Sequence, residues 1–518
     1  MQLSDSCKTI LFIFILALLN LKNGEAQSTR YWSTQLNEES SLLAGAVVGG
    51  GAGVGAIYFN PAQISANTKS NLSINANLFS LEFNHIENAL GDDIDLKHTR
   101  FLAEPRFFSY ILNAKKVEGL TYEFIAMGKQ NFLVNFTNAT DTQMDILTHL
   151  PGEERYNANY KYRNHYLEYW LGAGASYQLK NGLSVGVSMF GMIKSLYYNN
   201  QLSIDANPLS DTIDDGINQV PFYVASTVSN NYVKFEDYRL LWKIGLAYKT
   251  EQFSFGLNIT TPSVHLFSGG KVVSSAGKQS NIMNPDGSGL LSNYFISDEQ
   301  IKKDIKVNYK DPLSIALGIE YTLPSDKHNL YATIEYFFGL DPYRFLTATV
   351  NPNVTIPSSF QTLTPKDWLS YVSGARPVTN IAVGYKAVLN KDLLILTGFK
   401  TDFSYMNNYK FVGYEEYKNL SDFEYNVYHI TGGLLYNFLG HKFFTGVQYS
   451  IGNMKDMKQL VNLSDPVEYN EIEQAALQGV RMNSMNYKYD GLSLFLGVTF
   501  NFGNNSQNKA PDEVSSLY

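Results

Sequence analysis

From Leu313 onward, Leu313, Ile315, Leu317, Ile319, Tyr321 and Leu323 form one apolar face, while Ser314, Ala316, Gly318, Glu320 and Thr322 form the other. Near the end of the chain, Leu492, Leu494, Leu496, Val498, Phe500 and Phe502 alternate with Ser493, Phe495, Gly497, Thr499 and Asn501. Phe253, Phe255, Leu257 and Ile259 alternate with Ser254, Gly256, Asn258 and Thr260. Period-2 patterning of this kind predicts strands with one apolar face and one polar or small-residue face. The same signal, punctuated by turn residues, predicts about fourteen strands. They fall near 71–84, 101–112, 118–136, 160–179, 183–203, 232–249, 253–267, 307–323, 329–340, 378–389, 393–406, 427–438, 442–453 and 491–502.

The connections alternate in length. Links after even-numbered segments are short and turn-like, as at Lys180-Asn181-Gly182, Thr250-Glu251-Gln252, Asn390-Lys391-Asp392 and Leu439-Gly440-His441. Links after odd-numbered segments are longer, notably 204–231, 268–306, 341–377 and 454–490. All tight turns therefore fall at one end and all large loops at the other, the pattern of an antiparallel transmembrane β-barrel. A two-layer sandwich of so many long strands would be unusually large. A closed barrel satisfies every backbone group inside lipid.

If the apolar faces point to lipid, Leu240, Trp242, Ile244, Leu246 and Tyr248 lie outside and Lys243 inside. By the same rule Glu104 and Arg106 point inward, opposite Phe107 and Ile111. Lys386 points inward opposite Ile381, Val383 and Tyr385, and Lys400 opposite Ile395 and Phe399. A Lys or Arg on the lipid face near the midplane would cost roughly 2–4 kcal/mol. Arg106, Lys243, Lys386 and Lys400 are thus candidate lumen cations for ligand contact.

Composition agrees with a barrel. The 518-residue chain has 36 Tyr and 32 Phe but only 17% charged residues. Its formal charge of −8 argues against a nucleic-acid partner. Residues 1–26 have the parts of a cleaved export signal: Lys8, an apolar run from Ile10 to Leu19, and Gly24-Glu25-Ala26. The apolar run is too short to span a bilayer. Cys7 is the only cysteine and falls in this leader, so the mature chain is expected to lack disulfides and cysteine metal sites. The histidines show no metal-ligand spacing, no P-loop or dinucleotide fingerprint is present, and no cofactor is expected. A barrel hydrolase would need a serine beside a histidine on neighbouring strands, for which His429 is the mid-strand candidate.

Between leader and strands, 27–70 contains the run from Ala44 to Gly55, dense in glycine and alanine, which closes on Ile57-Tyr58-Phe59-Asn60-Pro61-Ala62. Such a run is a poor strand and a poor helix, yet it can pass where backbone must lie close to other atoms. It reads as a plug within the barrel. Residues 71–502 then form the barrel and 503–518 a polar tail.

Ala44-Gly45-Ala46 followed by Tyr58-Phe59-Asn60-Pro61-Ala62 resembles the plug signature of the outer-membrane long-chain fatty-acid and aromatic-hydrocarbon transporters, the FadL/TodX family. Asp311-Pro312-Leu313-Ser314 and Ile259-Thr260-Thr261-Pro262-Ser263 are similar to family segments. The resemblance covers 31–502, and Gln63 departs from it where a small residue is common. It implies a fourteen-stranded barrel with an N-terminal hatch carrying Asn60, Pro61 and Ala62. It also implies passive import of a hydrophobic small molecule by a monomer surrounded by outer-membrane lipid and lipopolysaccharide. In that family the middle external loops form the capture groove. Here their counterparts, 204–231 and 268–306, carry Phe222, Tyr223, Leu290, Leu291, Tyr294 and Phe295. The family releases ligand sideways through a kink in the third strand, where Gly128 is the candidate position. An alternative role for the same barrel is a protein secretion or surface-assembly component.

Overall fold

Alternating apolar residues can close a sheet on itself only if the first and last strands pair, and they do. The computed structural model describes residues 29–32, 38–67, 70–114, 117–150, 152–209, 212–214, 219–221, 224–284, 286–290, 300–303, 305–348, 369–415, 417–420 and 423–501. The expected leader, the tail and Phe502 lie outside these residues.

The barrel staves are β1 (Asn71–Glu87), β2 (Leu96–Asn113), β3 (Leu120–Met144), β4 (Glu154–Gln178), β5 (Leu183–Pro208) and β6 (Ala225–Lys249). Next come β7 (Phe253–Thr260, resuming as Val264–Ser280), β8 (Ser314–Thr322), β9 (His328–Phe337) and β10 (Val378–Val388). The last four are β11 (Leu393–Asp402), β12 (Asn426–Phe438), β13 (His441–Met457) and β14 (Met485–Asn501). Every neighbouring pair is antiparallel, and β1 pairs with β14 from Asn71 opposite Asn501 to Glu87 opposite Asn486, which closes the ring. The fourteen predicted strands are thus the fourteen staves. Asn181 and Gly182, both at positive φ, make the β4–β5 link a tight turn of the kind that suits twisted hairpins.

The wall is uneven in height. β3 to β7 run far past the other staves, so 204–208, 225–231 and 268–280 are strand where long loops were expected. β8 begins only at Ser314, because Lys306–Val307 instead pairs inward with Leu346–Thr347. The outer surface carries the expected apolar band: Ile244, Leu246, Leu317, Ile334, Ile381, Val383, Val447 and Leu496 are exposed. Facing lipid, such a band is what keeps a β-barrel in a bilayer. Among the described residues, no helix is long and apolar enough to cross a membrane.

The phase of β2 differs from the prediction. Glu104 and Arg106 are buried inside, but so are Phe107 and Ile111. The register passes from Asn75 opposite Phe107 to Ala76 opposite Pro105, leaving Arg106 as an inserted residue. A bulge changes which parity of residues points inward.

The Gly/Ala stretch lies in the lumen. It contains the short helices α1 (Glu38–Leu42) and α2 (Ala56–Phe59) and a 3-10 turn over Pro61–Ala66. Leu42, Leu43, Val47, Ala52, Val54 and Ile57 are fully or almost fully buried against inward side chains such as Phe107, Trp170, Phe190 and Phe495. The fit depends on missing side chains on both sides. A Cβ on Gly318 would collide with Gly49 and Val48, and one on Gly256 with Val48. Gly318 and Gly256 are direct partners across β8 and β7. Gly186 and Gly245, partners across β5 and β6, admit Pro61 and Ala62 in the same way.

Candidate functional site

Two groups lock the plug to the wall, and a third ties the plug to itself. Asn60 Nδ2 donates to Val48 O at 3.0 Å and to Leu246 O at 2.9 Å, while Asn60 Oδ1 accepts from Ala62 N at 3.1 Å. One side chain therefore caps the Pro61–Ala66 turn and joins it to both the glycine run and β6. Gln63, the departure from the family pattern, donates to Val47 O at 2.9 Å and Val48 O at 2.6 Å. From β3, Glu123 accepts from Gly55 N at 2.7 Å, Ile57 N at 3.0 Å and Ser109 Oγ at 2.8 Å. A carboxylate is well suited to the unpaired N–H groups opening α2.

Residues 29–32 form a strap above the plug. Trp32 Nε1 donates to Glu335 Oε2 at 2.6 Å, and Arg30 pairs with Ser404 by an isolated bridge. On the other side, Lys129 donates to Tyr31 O at 2.5 Å and Gln130 to Arg30 O at 2.7 Å. Lys129 is the inserted residue of a β3 bulge, since Gly128 sits opposite Tyr169 and Gln130 opposite Glu168. The third-strand kink anticipated at Gly128 is this bulge.

Two cavities lie between strap, plug and wall. One is lined by Tyr31, Tyr58, Tyr166, Trp170, Lys129 and Lys243 among others. The second lies against Val48, Phe59, Thr333 and Lys400. Tyr58, Lys243 and Glu335 border both. Lys243 is 5% exposed and its ammonium stands 4.3 Å over the Tyr58 ring. Among the described residues it has no carboxylate at ion-pair distance. The lining mixes aromatic rings with charged groups, among them Lys129, Lys194, Glu168 and Asp311, and Lys243 offers its ammonium to an anionic or polar end of a ligand.

At the bulge the barrel loses a ladder. β2 and β3 pair only from Phe107 opposite Met127 to Asn113 opposite Thr121. Above this, Leu96–Pro105 pairs with β1 and Gly128–Met144 with β4, but not with each other. Side chains bridge the resulting seam: Arg100 donates to Asn131 O at 2.9 Å, and Asn131 Nδ2 donates to Glu104 Oε2 at 2.6 Å. Lys129 and Gln130, which line the larger cavity, stand beside this seam.

The predicted candidates divide. Lys243 and Lys400 reach the cavities. Arg106 instead pairs with Glu104 at 2.6 Å near the seam. Lys386 lies 3.8 Å from Glu39 of the plug and serves to hold it. Leu290 is exposed on an external hairpin, bridged to Met283 and away from both cavities. Phe222, Tyr223, Leu291, Tyr294 and Phe295 lie outside the described residues. The groove at the external mouth is lined by Asn200, Asn231, Gln279, Gln459, Gln474 and Gln478 among others, an amide-rich surface. Lys129, Trp170, Glu123 and Glu335 were missed, because their importance depends on which strands curve past the plug.

His429 does meet a serine: its Nδ1 is 2.7 Å from Ser450 Oγ, and Asp402 Oδ2 lies 3.8 Å from Nε2. Gln448 Nε2 also donates to Ser450 Oγ at 3.1 Å, and Ser450 borders neither cavity. This arrangement is a buried polar cluster on the lumen wall.

No family model matches the chain, and no curated protein matches it by sequence. Solved structures do. A TodX monoaromatic hydrocarbon channel carrying the deltaS2 mutation superposes with TM-score 0.51 at 13% identity, covering 90% of this chain and 99% of that one. The Pseudomonas putida toluene transporter TodX matches with TM-score 0.47 at 12% identity, covering 93% and 99%. A Pseudomonas aeruginosa FadL homologue matches with TM-score 0.49 at 11% identity, again covering 93% and 99%. What the deltaS2 structure shares with this chain is its fold.

Proposed function

We propose that this chain is a FadL/TodX-type outer-membrane channel for passive import of hydrophobic small molecules, long-chain fatty acids or related hydrocarbons. The ligand enters from the external side, rests in the cavity beneath the strap, and leaves sideways into lipid through the β2–β3 seam. The observation that carries this reading is the continuity of parts: Lys129 belongs at once to the cavity lining, to the strap contact and to the bulge where the ladder stops. Hydrocarbon gains ~0.8 kcal/mol per buried CH₂. A partly aromatic cavity leading to the bilayer therefore lets a ligand shield part of its chain from water and from polar surface sugars. No energy source is needed if the bilayer is the final sink.

The plug is the hatch in this reading. Tyr58, in α2, packs edge-on against Trp170 of the wall with ring centroids 5.6 Å apart, and both rings line the cavity, so movement of α2 changes its shape directly. Deleting 44–62 tests the role. An inserted barrel with altered uptake, or with a new leak to small ions, is expected; unchanged uptake together with no leak contradicts it.

A further inference from the structure

We propose that the outer face of the tall wall at β6 and β7 is a docking site for a phosphorylated glycolipid of the outer leaflet. This rests on the outer-membrane reading above, but not on transport. Lys234, Val272 and Lys303 are direct partners on three consecutive strands, so their side chains share one face. It is the outer face, because the adjoining Val233 and Val273 are fully buried toward the barrel interior. Lys234 and Lys303 are exposed, and Lys271, in the bulge between Gly269 and Val272, is half-buried. None of the three lysines has an ion-pair partner among the described residues. The described carboxylate on that face, Glu236, accepts from Tyr238 Oη at 3.1 Å.

Directly below lies an apolar girdle. Val264, Leu266 and Phe267 are exposed, and Phe267 stacks on Tyr238 with ring centroids 4.5 Å apart. Lys234 is four residues along β6 from Tyr238, ~13 Å of strand at the usual rise. Acyl chains against the girdle would place a head group level with the lysines, the separation a membrane lipid requires.

The third observation concerns the backbone. On the side away from β6, Val264–Lys271 has no ladder partner among the described residues, whereas Val272–Ser275 pairs with Gln300–Lys303. The chain following Lys303 turns inward, with Ile305 and Val307 buried, and returns to β7 only where Ser263 donates to Asp311 at 2.5 Å. A side chain added at Gly269 or Gly270 would meet no atom within 4 Å. Among the described residues, no strand pairs with this edge. Edge N–H groups need acceptors, and phosphate oxygens beside lysines supply them.

The test uses full-length protein purified in detergent, with lipid A and phosphatase-treated lipid A as probes and native mass spectrometry as the readout. The wild-type protein should retain lipid A and release the dephosphorylated form. K234Q/K271Q/K303Q should retain lipid A at least roughly tenfold more weakly, given the contribution of each basic residue near an anionic surface. K180Q/K249Q/K391Q removes the same charge at the opposite rim and should behave as wild type. Heat-modifiable gel mobility establishes that each variant is a folded barrel. Equal retention by the first triple variant, or equal retention of the phosphate-free lipid, overturns the site. Uptake of a labelled hydrophobe is measured separately: lost uptake with normal lipid retention counts against transport alone, and the converse against docking alone.

Discussion

Glu123 on β3 accepts from the Gly55 amide of the plug at 2.7 Å, from within a fully buried site on the lumen wall. The same carboxylate takes Ile57 N, so one residue of the wall sets the start of α2. Replacing it with alanine leaves two buried N–H groups without acceptors. Hydrogen bonds to a charged acceptor contribute about 1.5–3 kcal/mol each. Glu123→Ala should therefore loosen the plug while the barrel persists, raising ion conductance in planar bilayers, and Glu123→Gln should give a smaller rise. Unchanged conductance in both would mean that the glycine contacts alone seat the plug.

Lys243 gives a prediction about ligand chemistry. Its ammonium borders both cavities above the Tyr58 ring. Lys243→Met keeps the chain length and removes the charge. Uptake of a long-chain carboxylate should fall several-fold while that of an uncharged hydrocarbon of equal length stays near wild type. An equal fall for both would make Lys243 a structural support of the plug.

The external cap carries a pH dependence. Lys418 donates to Asn231 Oδ1 at 2.6 Å and to Ser275 Oγ at 2.7 Å, tying the 403–425 connection to the tall wall. Burial pushes its ammonium down to about 7. An unfolded lysine titrates near 10.4, so between these values the docked state binds fewer protons than the undocked one. Stability of the docked cap therefore rises as pH climbs from about 7 toward 10, and the burial penalty is fully present below about 7. After correction for the base-catalysed intrinsic rate, amide protection factors across 403–425 should be larger at pH 9 than at pH 6.5. Lys418→Met should remove the difference.

Much of this architecture was legible as alternation, because outward residues must be apolar in lipid and inward ones must be small or polar near the plug. Leu317 and Gly318 illustrate the rule: one is exposed on the outer band, the other lies against Gly49. Asn60 was legible as a motif, and its three hydrogen bonds give the motif a physical meaning. The misreading at Phe107 has an equally definite cause. Period-2 reasoning assumes an unbroken pleat, and the insertion at Arg106 resets it. The cavity was not legible, since Tyr31, Tyr58, Trp170 and Lys243 come together only once the ring is closed. Nor was the height of the wall, where polar stretches taken as loops continue as paired strand.

The seam between β2 and β3 offers the most direct test. Arg100 and Asn131 face each other across it, and the chain has no cysteine beyond Cys7. In Arg100→Cys/Asn131→Cys, a short thiol-specific crosslinker should tie the strands together without touching the plug. Uptake of a labelled long-chain hydrophobe into cells is then measured before crosslinking, after it, and after cleavage of the linker. Lateral release predicts loss of most uptake on crosslinking and its return on cleavage. Uptake that continues undiminished through the tied seam would contradict the account.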